Sequence, residues 1–472
     1  MTGFSQDLRF SIRSLLARRS RSFTVVAVLT LALGIGATTA MFSVLYGVLL
    51  RPLPYPESSR LVEMAQRYQG QTGELAVTYQ EFQFLRDHGA VFQYLAATTT
   101  VGFNVFTGSE AVRANALRVS RDYFRVLGVA PAFGRAFAAD EDQPGGARAV
   151  ILSHAFFQRR FNGDASIVGR AISLDGEPYT VVGVMPAGFQ SLPAVDVWST
   201  IAQVGQSVGS GENLQVIGRL KRGLALDGAR AGMQITAAAY QREFRARLQP
   251  GVSLALAPYQ TLVVSEVRTP VLILFGAIAF VLLIACANVA NLLLDRAAHR
   301  TKEVGIRTAL GATRGAVMRQ FLTEALVLSL GGAVFGSLGA YAGIAAFNRV
   351  LYASTDVPFY IDIRLNAPVL GFAIGIAVLA AMFSGLLPAI QSSRADINEV
   401  LKDESRGSSS LRIGKVSRGL VVFEIALSCG LLVAAGLTIK SVTNLRTMDP
   451  GFRTNHVFTA RVGFPGTYTD TV

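Results

Sequence analysis

Long apolar runs alternate with polar segments along the chain. Five of these runs reach about 20 residues or more, the length that an α-helix needs to cross the hydrocarbon core of a bilayer. Few charged residues interrupt them, so we predict five membrane-spanning helices. The predicted spans, numbered from first to fifth, cover residues 23–50, 271–294, 321–350, 367–390 and 420–439.

The stretch between the first and second spans, residues 51–270, has a different pattern. Short runs rich in β-branched residues alternate with helix-like runs, and Asp175-Gly176 lies between two apolar runs, as a hairpin turn would. The pattern predicts one compact domain of the α+β class. The strand-like runs are Ala149–Leu152 and Tyr179–Val184, and the helix-like runs are Tyr79–His88 and Ala229–Arg247.

Basic residues are concentrated beside alternate ends of the spans. Residues 1–22, 295–320 and 391–419 are rich in Lys and Arg, whereas residues 351–366 contain only Arg364. Because cationic flanks stay on the cytoplasmic side, the N-terminus and the two other basic segments are predicted to be cytoplasmic. The segments expected outside the cytoplasm are residues 51–270, 351–366 and 440–472.

The basic segment 391–419 is also unusual in composition. Its residues 402–415 are polar and rich in Gly and Ser, which is typical of flexible linkers. After it, a basic residue, an apolar span and a polar outer segment follow in the same order as at the N-terminus. This order suggests the start of a second, duplicated half.

Composition narrows the classes of function. Apolar residues make up 51% of the chain, and the net charge is +13. The cations flank the spans, so they indicate membrane topology and we expect no nucleic-acid partner. Cys286 and Cys429 lie inside apolar runs and the histidines are scattered, so we expect no disulfide framework and no metal site. The sequence has no glycine-rich phosphate-binding loop, so we predict no catalytic residue and no directly bound cofactor.

The third span contains glycines at helical spacing. Small residues at this spacing let two helix backbones approach closely inside a membrane, where lipid offers no hydrophobic drive to associate. We therefore predict helix packing through these residues, although glycine is common in membrane helices without any such role. They are Gly332, Gly336, Gly339 and Gly343.

Two carboxylates enter predicted spans near their cytoplasmic ends. Glu324 lies in the third span and Glu424 in the fifth. Charges inside a span are candidates for function. Within a turn of the interface, however, a long side chain reaches water at little cost, and the sequence favours this simpler interpretation.

A longer motif carries a resemblance to a known family. The pattern Glu303-Val-Gly305-Ile-Arg307-x-Ala-Leu-Gly311-Ala312-Thr, followed by Gln-Phe-Leu-x-Glu324, resembles the FtsX-like permease domain of MacB-type ABC transporters. Ahead of it, the chain is similar to the family's periplasmic core domain. The segments that carry this second similarity are Arg51-Pro-Leu-Pro-Tyr-Pro, Tyr123-Phe-x-x-Leu-Gly128, Gly134-Arg135, Val168-Gly-Arg170 and Val182-Gly-Val-Met-Pro186.

The resemblance implies a fold and a function. The fold would be a multi-pass α-helical membrane protein of the bacterial inner membrane, with a large α+β periplasmic domain and an FtsX-like four-helix permease domain. The chain would be the permease subunit of a transporter that exports or extracts lipids, peptides or drugs. It would have no ATPase of its own, so ATP would be used by a separate cytoplasmic ATPase of the MacB or LolD type.

The resemblance also implies where that ATPase binds. Residues 295–320 would form the coupling segment, with Glu303, Gly305 and Arg307 in contact with the ATPase and Gly311-Ala312 at a turn. Further partners would be the membrane and a second copy or a related permease half.

The repeated order of segments resembles the ADOP branch of duplicated permeases, here cut off after the start of the second half. The alternative is a membrane-anchored binding or scaffold protein without transport, or a non-functional fragment of such a permease. A neighbouring ATPase gene would distinguish transport from these alternatives.

Overall fold

The computed structural model describes most of the chain in two compact units. One is a helical unit built from the first 50 residues and from residues after Glu266, and the other is a domain built from Arg51–Glu266 with Pro358–Ile361. Each unit is described by itself. The described residues are 2–17, 20–68, 71–107, 110–201, 214–244, 253–300, 306, 313–354, 360–393 and 409–448.

The N-terminus forms two helices joined by a bend. Helix α1 covers Thr2–Leu16, and α2 covers Arg21–Leu45 and continues as a π-helical turn, Tyr46–Leu50. The Thr24 hydroxyl of α2 donates to the Leu15 carbonyl oxygen at 2.9 Å, so a side chain of the second helix caps the end of the first. The bend is therefore held by hydrogen bonds.

The domain contains one 11-stranded mixed sheet. Its main path runs β11-β1-β10-β3-β4-β9-β6-β8-β5; β2 pairs with β1, and β7 pairs with β3 and β8. The pairs β4–β9 and β6–β8 are parallel, and the other pairs are antiparallel. The strands are β1 Leu61–Tyr68, β2 Gln71–Glu74, β3 Phe92–Thr107, β4 Glu110–Val119, β5 Phe133–Gly134, β6 Ala149–Leu152, β7 Ala171–Leu174, β8 Glu177–Val184, β9 Val197–Thr200, β10 Gln215–Leu220 and β11 Ser253–Pro258.

Short helices cover this sheet, and local sequence explains where they begin. Helix α3 starts with a capping box, in which the Thr78 side chain accepts from the Glu81 backbone N–H and the Glu81 carboxylate accepts from the Thr78 N–H. The domain core is aromatic, with Trp198, Tyr123 and Phe124 buried together. The helices are α3 Tyr79–His88, α4 Tyr123–Leu127, α5 His154–Phe161, α6 Leu226–Glu243 and α7 Tyr259–Val263.

The α+β prediction for this domain is confirmed. The predicted hairpin turn joins β7 to β8, with Asp175 at φ 51° and Gly176 at φ 85°, the left-handed conformation that a tight hairpin requires. The predicted helix Ala229–Arg247 corresponds to α6, which begins earlier, at Leu226, and ends at Glu243. Residues 245–250 lie outside the described part of the chain.

In the described part of the chain, four long helices follow the domain. They are α8 Ser265–His299, α9 Arg314–Ser354, α10 Ala367–Ser393 and α11 Ser409–Thr447. Within the described residues, five helices are long and apolar enough to cross a membrane. These candidate spans are Arg21–Leu50, Ser265–Ala298, Arg314–Leu351, Ala367–Gln391 and Ser417–Thr447.

The helix ends differ from the predicted segments in three places. The predicted linker 391–419 is helical from Ser409, because a helix already formed by a span extends at little cost into residues such as Leu411 and Ile413. The outer segment predicted from residue 440 is helical as far as Thr447, where Val442 and Leu445 continue the apolar pattern. The predicted coupling segment 295–320 is helical at both ends, since α8 reaches His299 and α9 begins at Arg314.

The core of the helical unit lies between α2, α8, α9 and α10. Leu31 and Ile35 of α2 are completely buried there, against Val289 of α8 and Leu328 of α9. The centre of this core is therefore made of aliphatic side chains, as expected where helices associate by close packing.

Candidate coupling site

An ion pair joins Arg300, the residue that follows α8, to the buried Glu324, about three turns into α9. The Arg300 guanidinium donates through Nη1 to Oε1 of Glu324 at 2.9 Å. The Glu324 carboxylate is only 1% exposed, and the Arg300 side chain is 23% exposed. Arg300 directly precedes segment 301–312, which connects the helices, and Glu324 lies further along, inside α9. The pair therefore fastens together the two helices that this segment joins.

Helix α1 contributes to the same cluster. Arg300 also donates through Nη2 to the Ser14 hydroxyl of α1, and Arg296 Nη2 donates to the same hydroxyl at 2.9 Å. On the neighbouring turn of α9, Arg319 Nε donates to the Asp7 carboxylate at 2.6 Å. We call this set of side chains, Asp7, Ser14, Arg296, Arg300, Arg319 and Glu324, the three-helix clasp.

The Arg296 guanidinium has a further contact within the helical unit. Its central carbon lies 4.7 Å from the ring centroid of Phe23 in α2, a favourable cation–π distance. The first turns of α2 are thereby linked to the three-helix clasp.

Burial makes the Arg300–Glu324 pair sensitive to change. Removing one partner of a buried ion pair costs about 3–5 kcal/mol, because the other charge is left without compensation in a low-dielectric site. Oε2 of Glu324 is itself buried and has no hydrogen-bond partner among the described residues. Glu324 therefore depends on Arg300 for its neutralisation.

The structure changes the interpretation of Glu324 and leaves the predicted coupling residues unplaced. The sequence favoured a Glu324 side chain that reaches water, but it is buried because Arg300 and α1 cover it. Sequence reasoning missed Arg300 and Ser14, and the available signal was a carboxylate in an apolar run close to a basic segment.

The predicted coupling residues Glu303, Gly305, Arg307, Gly311 and Ala312 lie outside the described residues.

The glycines of the third span are in two different environments. A methyl group at Gly332 would lie 2.7 Å from the Leu31 Cβ, and one at Gly336 would lie 2.7 Å from the Ala32 carbonyl oxygen, both on α2. At Gly339 and Gly343 a methyl group would meet nothing within 4 Å among the described residues. The first two therefore line the contact between α2 and α9. The last two do not.

Within the domain, the chain that enters it is held by two side chains. Gln260 of α7 donates to the Arg51 carbonyl oxygen at 2.8 Å. Arg219 of β10, which is 4% exposed, donates to the Pro56 carbonyl oxygen at 2.9 Å and to that of Val126 at 2.7 Å. Segment 51–57 is therefore fixed to both the sheet and α4.

Tyr55 strengthens this attachment from the core. Its hydroxyl donates to the Gln190 carbonyl oxygen at 3.0 Å, and its ring is buried in the aromatic core. Burial raises the pKa of Tyr55 well above the usual value, so the phenol stays neutral and remains a donor at physiological pH.

The predicted Gly134-Arg135 motif forms a loop closed by an ion pair. Arg135 donates to both carboxylate oxygens of Glu141, at 2.8 and 2.6 Å, and the Ala138 N–H donates to Glu141 Oε2 at 2.7 Å. Burial alone would raise the pKa of Glu141, but these hydrogen bonds outweigh it and the pKa is lowered overall. Glu141 is a loop-closing residue that the motif did not reveal.

The fold and these contacts define a polytopic membrane protein with a folded α+β domain between its first two candidate spans. Residues 24–257 match the MacB-like periplasmic core domain, and residues 275–397 match the FtsX-like permease C-terminal domain. The chain belongs to the MacB/FtsX-type family of ABC transporter permeases.

Individual relatives agree with this assignment. The protein named macrolide export ATP-binding/permease protein MacB of Chromobacterium violaceum is 28% identical over 300 residues, covering 62% of this chain and 44% of the relative. The uncharacterized ABC transporter permease YknZ of Bacillus subtilis is 24% identical over 427 residues, covering 84% of this chain and 99% of the relative. The chain thus spans less than half the length of this MacB relative.

Among solved structures, the periplasmic region of MacB from Actinobacillus actinomycetemcomitans aligns with 48% of this chain and 95% of that chain. The alignment has 11% sequence identity and a TM-score of 0.35.

Proposed function

We propose that this chain is a permease subunit that transmits motion from a separate cytoplasmic ATPase to the periplasmic domain. The work would be the export or extraction of lipids, peptides or drugs, and ATP would be used by the partner. Membership of an ABC permease family supports an ABC ATPase as that partner. The name of the Chromobacterium violaceum relative, a macrolide export protein, supports an export role.

The observation that carries this proposal is the Arg300–Glu324 ion pair. It ties Arg300, the residue after α8, to a position about three turns into α9, so the two helices that segment 301–312 connects are held together and a force on that segment would act on both. The segment is short and carries charged side chains, Lys302, Glu303 and Arg307, as a surface that docks onto a partner would. An ion pair buried to this degree resists separation more than an exposed one does.

Helix α8 connects this pair to the domain along the chain. It is one helix of 35 residues, Ser265–His299, which corresponds to a length of about 50 Å. Its first residues follow α7 directly in the chain, and α7 contains Gln260, the residue that holds Arg51. A displacement of the Arg300 end would therefore be passed along a continuous helix to the last element of the domain.

Co-purification and ATP hydrolysis test the proposal. The tagged full chain is purified in detergent from its own cells, the co-purifying proteins are identified, and hydrolysis by a recovered ABC ATPase is measured after reconstitution into lipid nanodiscs. We expect a stable complex whose hydrolysis rate depends on the permease. Arg300→Ala should reduce this dependence, and the exchange Arg300→Glu with Glu324→Arg should restore part of it.

A matched control is Arg159→Ala, which removes an ion pair with Asp196 in the domain whose arginine side chain is 63% exposed. It should leave hydrolysis unchanged.

If Arg300→Ala proves too unstable to purify, Ser14→Ala removes one hydroxyl of the three-helix clasp and provides a milder test. Failure to recover any ATPase would favour the anchored binding or scaffold protein. If ATP hydrolysis has the same rate with Arg300→Ala, Ser14→Ala and Arg159→Ala, the three-helix clasp has no role in coupling.

A further inference from the structure

Helix α1 has an outer face that combines cations with apolar side chains. Arg9 and Arg13 are exposed on it and have no ion-pair partner among the described residues. Three large apolar side chains share this exposed side: Phe10, Ile12 and Leu16, which are 39%, 40% and 65% exposed. A helix with this combination is typical of the boundary between lipid headgroups and acyl chains.

The opposite face of α1 fixes the orientation of the helix. Ser11 is 0% and Leu15 is 3% exposed, and both face the helical unit. Asp7 is paired with Arg319, and Ser14 accepts from Arg296. These contacts hold one side of α1 against the unit, so Arg9 and Arg13 can only point away from it.

The position of α1 in the chain places it at a membrane boundary. The first candidate span begins at Arg21, and the Thr24–Leu15 hydrogen bond holds α1 next to that point. The first turns of α2 also expose large apolar side chains, with Val25 at 56% and Leu29 at 56%. The exposed apolar surface of the span and the outer face of α1 therefore follow each other closely along the chain.

We infer that the outer face of α1 binds the anionic lipid headgroups of the adjacent leaflet. Arg9 and Arg13 would contact the headgroup phosphates, while Phe10, Ile12 and Leu16 would enter the upper acyl region. Protein partners that bind exposed arginines present acidic side chains, but an acidic surface would leave the apolar side chains of this face without a matching environment. A lipid surface satisfies both kinds of side chain at once.

The inference has a functional consequence because α1 is part of the three-helix clasp. Ser14 lies on the inner face of the same helix and accepts hydrogen bonds from both Arg296 and Arg300. Lipid binding on the outer face would hold α1 in place and would thereby support the Arg300–Glu324 pair. The anionic lipid content of the membrane would in this way influence the coupling site.

Depth-dependent fluorescence quenching tests this inference on the full chain. Leu16→Cys is made with Cys286→Ala and Cys429→Ala, labelled with a small fluorophore, and reconstituted into vesicles of phosphatidylcholine with increasing fractions of phosphatidylglycerol. Quencher groups are carried at a shallow acyl position of the lipid. We expect quenching that increases with the phosphatidylglycerol fraction. Each surface cation strengthens binding to an anionic membrane about five-fold. The double variant Arg9→Gln with Arg13→Gln should therefore weaken the binding of α1 to the headgroups about 25-fold. Quenching should then no longer increase with the phosphatidylglycerol fraction.

Two controls separate charge from structure. Arg9→Lys with Arg13→Lys keeps both charges and should retain the dependence on phosphatidylglycerol. Lys221→Gln with Arg222→Gln removes two exposed cations from the domain and should have no effect. A label that stays unquenched in every vesicle would show that the face points into water, as docking to a soluble protein requires, and would overturn the inference. Quenching that is equal with and without phosphatidylglycerol would also overturn it. Neither result depends on an ATPase partner.

Discussion

Gly36 on α2 and Gly336 on α9 lie in direct backbone contact. A methyl group at Gly36 would be 2.8 Å from the Gly336 carbonyl oxygen, closer than side-chain carbons approach such atoms. The two helices can reach this distance only because neither residue has a side chain. Membrane helices lack a hydrophobic drive to associate, so this close packing is a main source of their affinity for each other.

We expect Gly336→Ala to destabilise the helical unit by about 1–3 kcal/mol, since the added methyl group forces the backbones of α2 and α9 apart. Gly343→Ala is the matched control, because a methyl group there meets no described atom within 4 Å. Cys286 is buried in this unit, so with Cys429→Ala its reaction with a thiol dye on heating reports unfolding. Equal unfolding temperatures for the two glycine variants would contradict the contact.

Arg219→Ala should destabilise the domain by about 1–3 kcal/mol, because the buried carbonyl oxygen of Val126 and the part-buried one of Pro56 would lose their donor. Trp198 is the only tryptophan in the chain and is completely buried, so its fluorescence follows unfolding of the domain in urea. The neighbouring Arg222 is exposed, and Arg222→Ala should leave the midpoint unchanged. A similar midpoint for both variants would show that segment 51–57 is held by other contacts.

The Glu141 loop should loosen in acid. The folded-state pKa of Glu141 lies below the unfolded value of about 4.5, so its contribution to stability is present above that value and is lost as the pH falls through the folded pKa. Protease cleavage of the loop 135–142 should accelerate over that pH range, measured with an acid-active protease. In Glu141→Gln the loop should be open already at neutral pH, with little further change in acid. An unchanged cleavage profile in Glu141→Gln would rule out this role.

Residues 51–270 should be accessible from outside the cytoplasmic membrane. Asp227 has a side chain that is 94% exposed, so Asp227→Cys in a chain without native cysteines should react with a membrane-impermeant thiol reagent in intact spheroplasts. Arg314→Cys, within the basic segment 295–320, should react only after lysis. The reverse result would invert the topology.

Exchanging Glu303 and Arg307 should weaken recovery of the ATPase. The exchange keeps the net charge, so membrane insertion remains normal, but docking needs each charge opposite its own partner. The measurement is the amount of ATPase that co-purifies with the full chain. Exchange of Arg148 and Glu177, a pair in the domain with both side chains exposed, is the matched control. Unchanged recovery would leave segment 295–320 with a role in topology alone.

The parts of the fold set by local patterns could be predicted from the sequence. A bilayer requires long apolar helices, so the runs along the chain indicate where they lie, and the alternating pattern around Asp175-Gly176 predicts a hairpin. The order of the 11 strands could not be predicted in this way. The parallel pairs β4–β9 and β6–β8 join strands far apart in the chain, and nothing in either strand specifies the partner.

The candidate site shows the same limit at the level of side chains. Gly332 and Gly343 belong to one glycine pattern, yet only the first lies against α2, because the crossing of two helices decides which part of a stripe is in contact. The sequence shows that Glu324 lies close to the predicted membrane–water interface, and this position predicts a side chain that reaches water. Its burial depends on Arg300 and on α1, and a contact between separate helices leaves no local pattern.

The hydrogen bond from Gln260 to Arg51 brings together the two places where the chain enters and leaves the domain. A domain whose ends meet can be inserted into, or removed from, a helical hairpin without a change in the spacing of the helices that carry it. Residues 51–266 would accordingly be an exchangeable cassette. Grafting the corresponding domain of another permease at these ends would replace the folded α+β domain while the sequence of the helices stays the same.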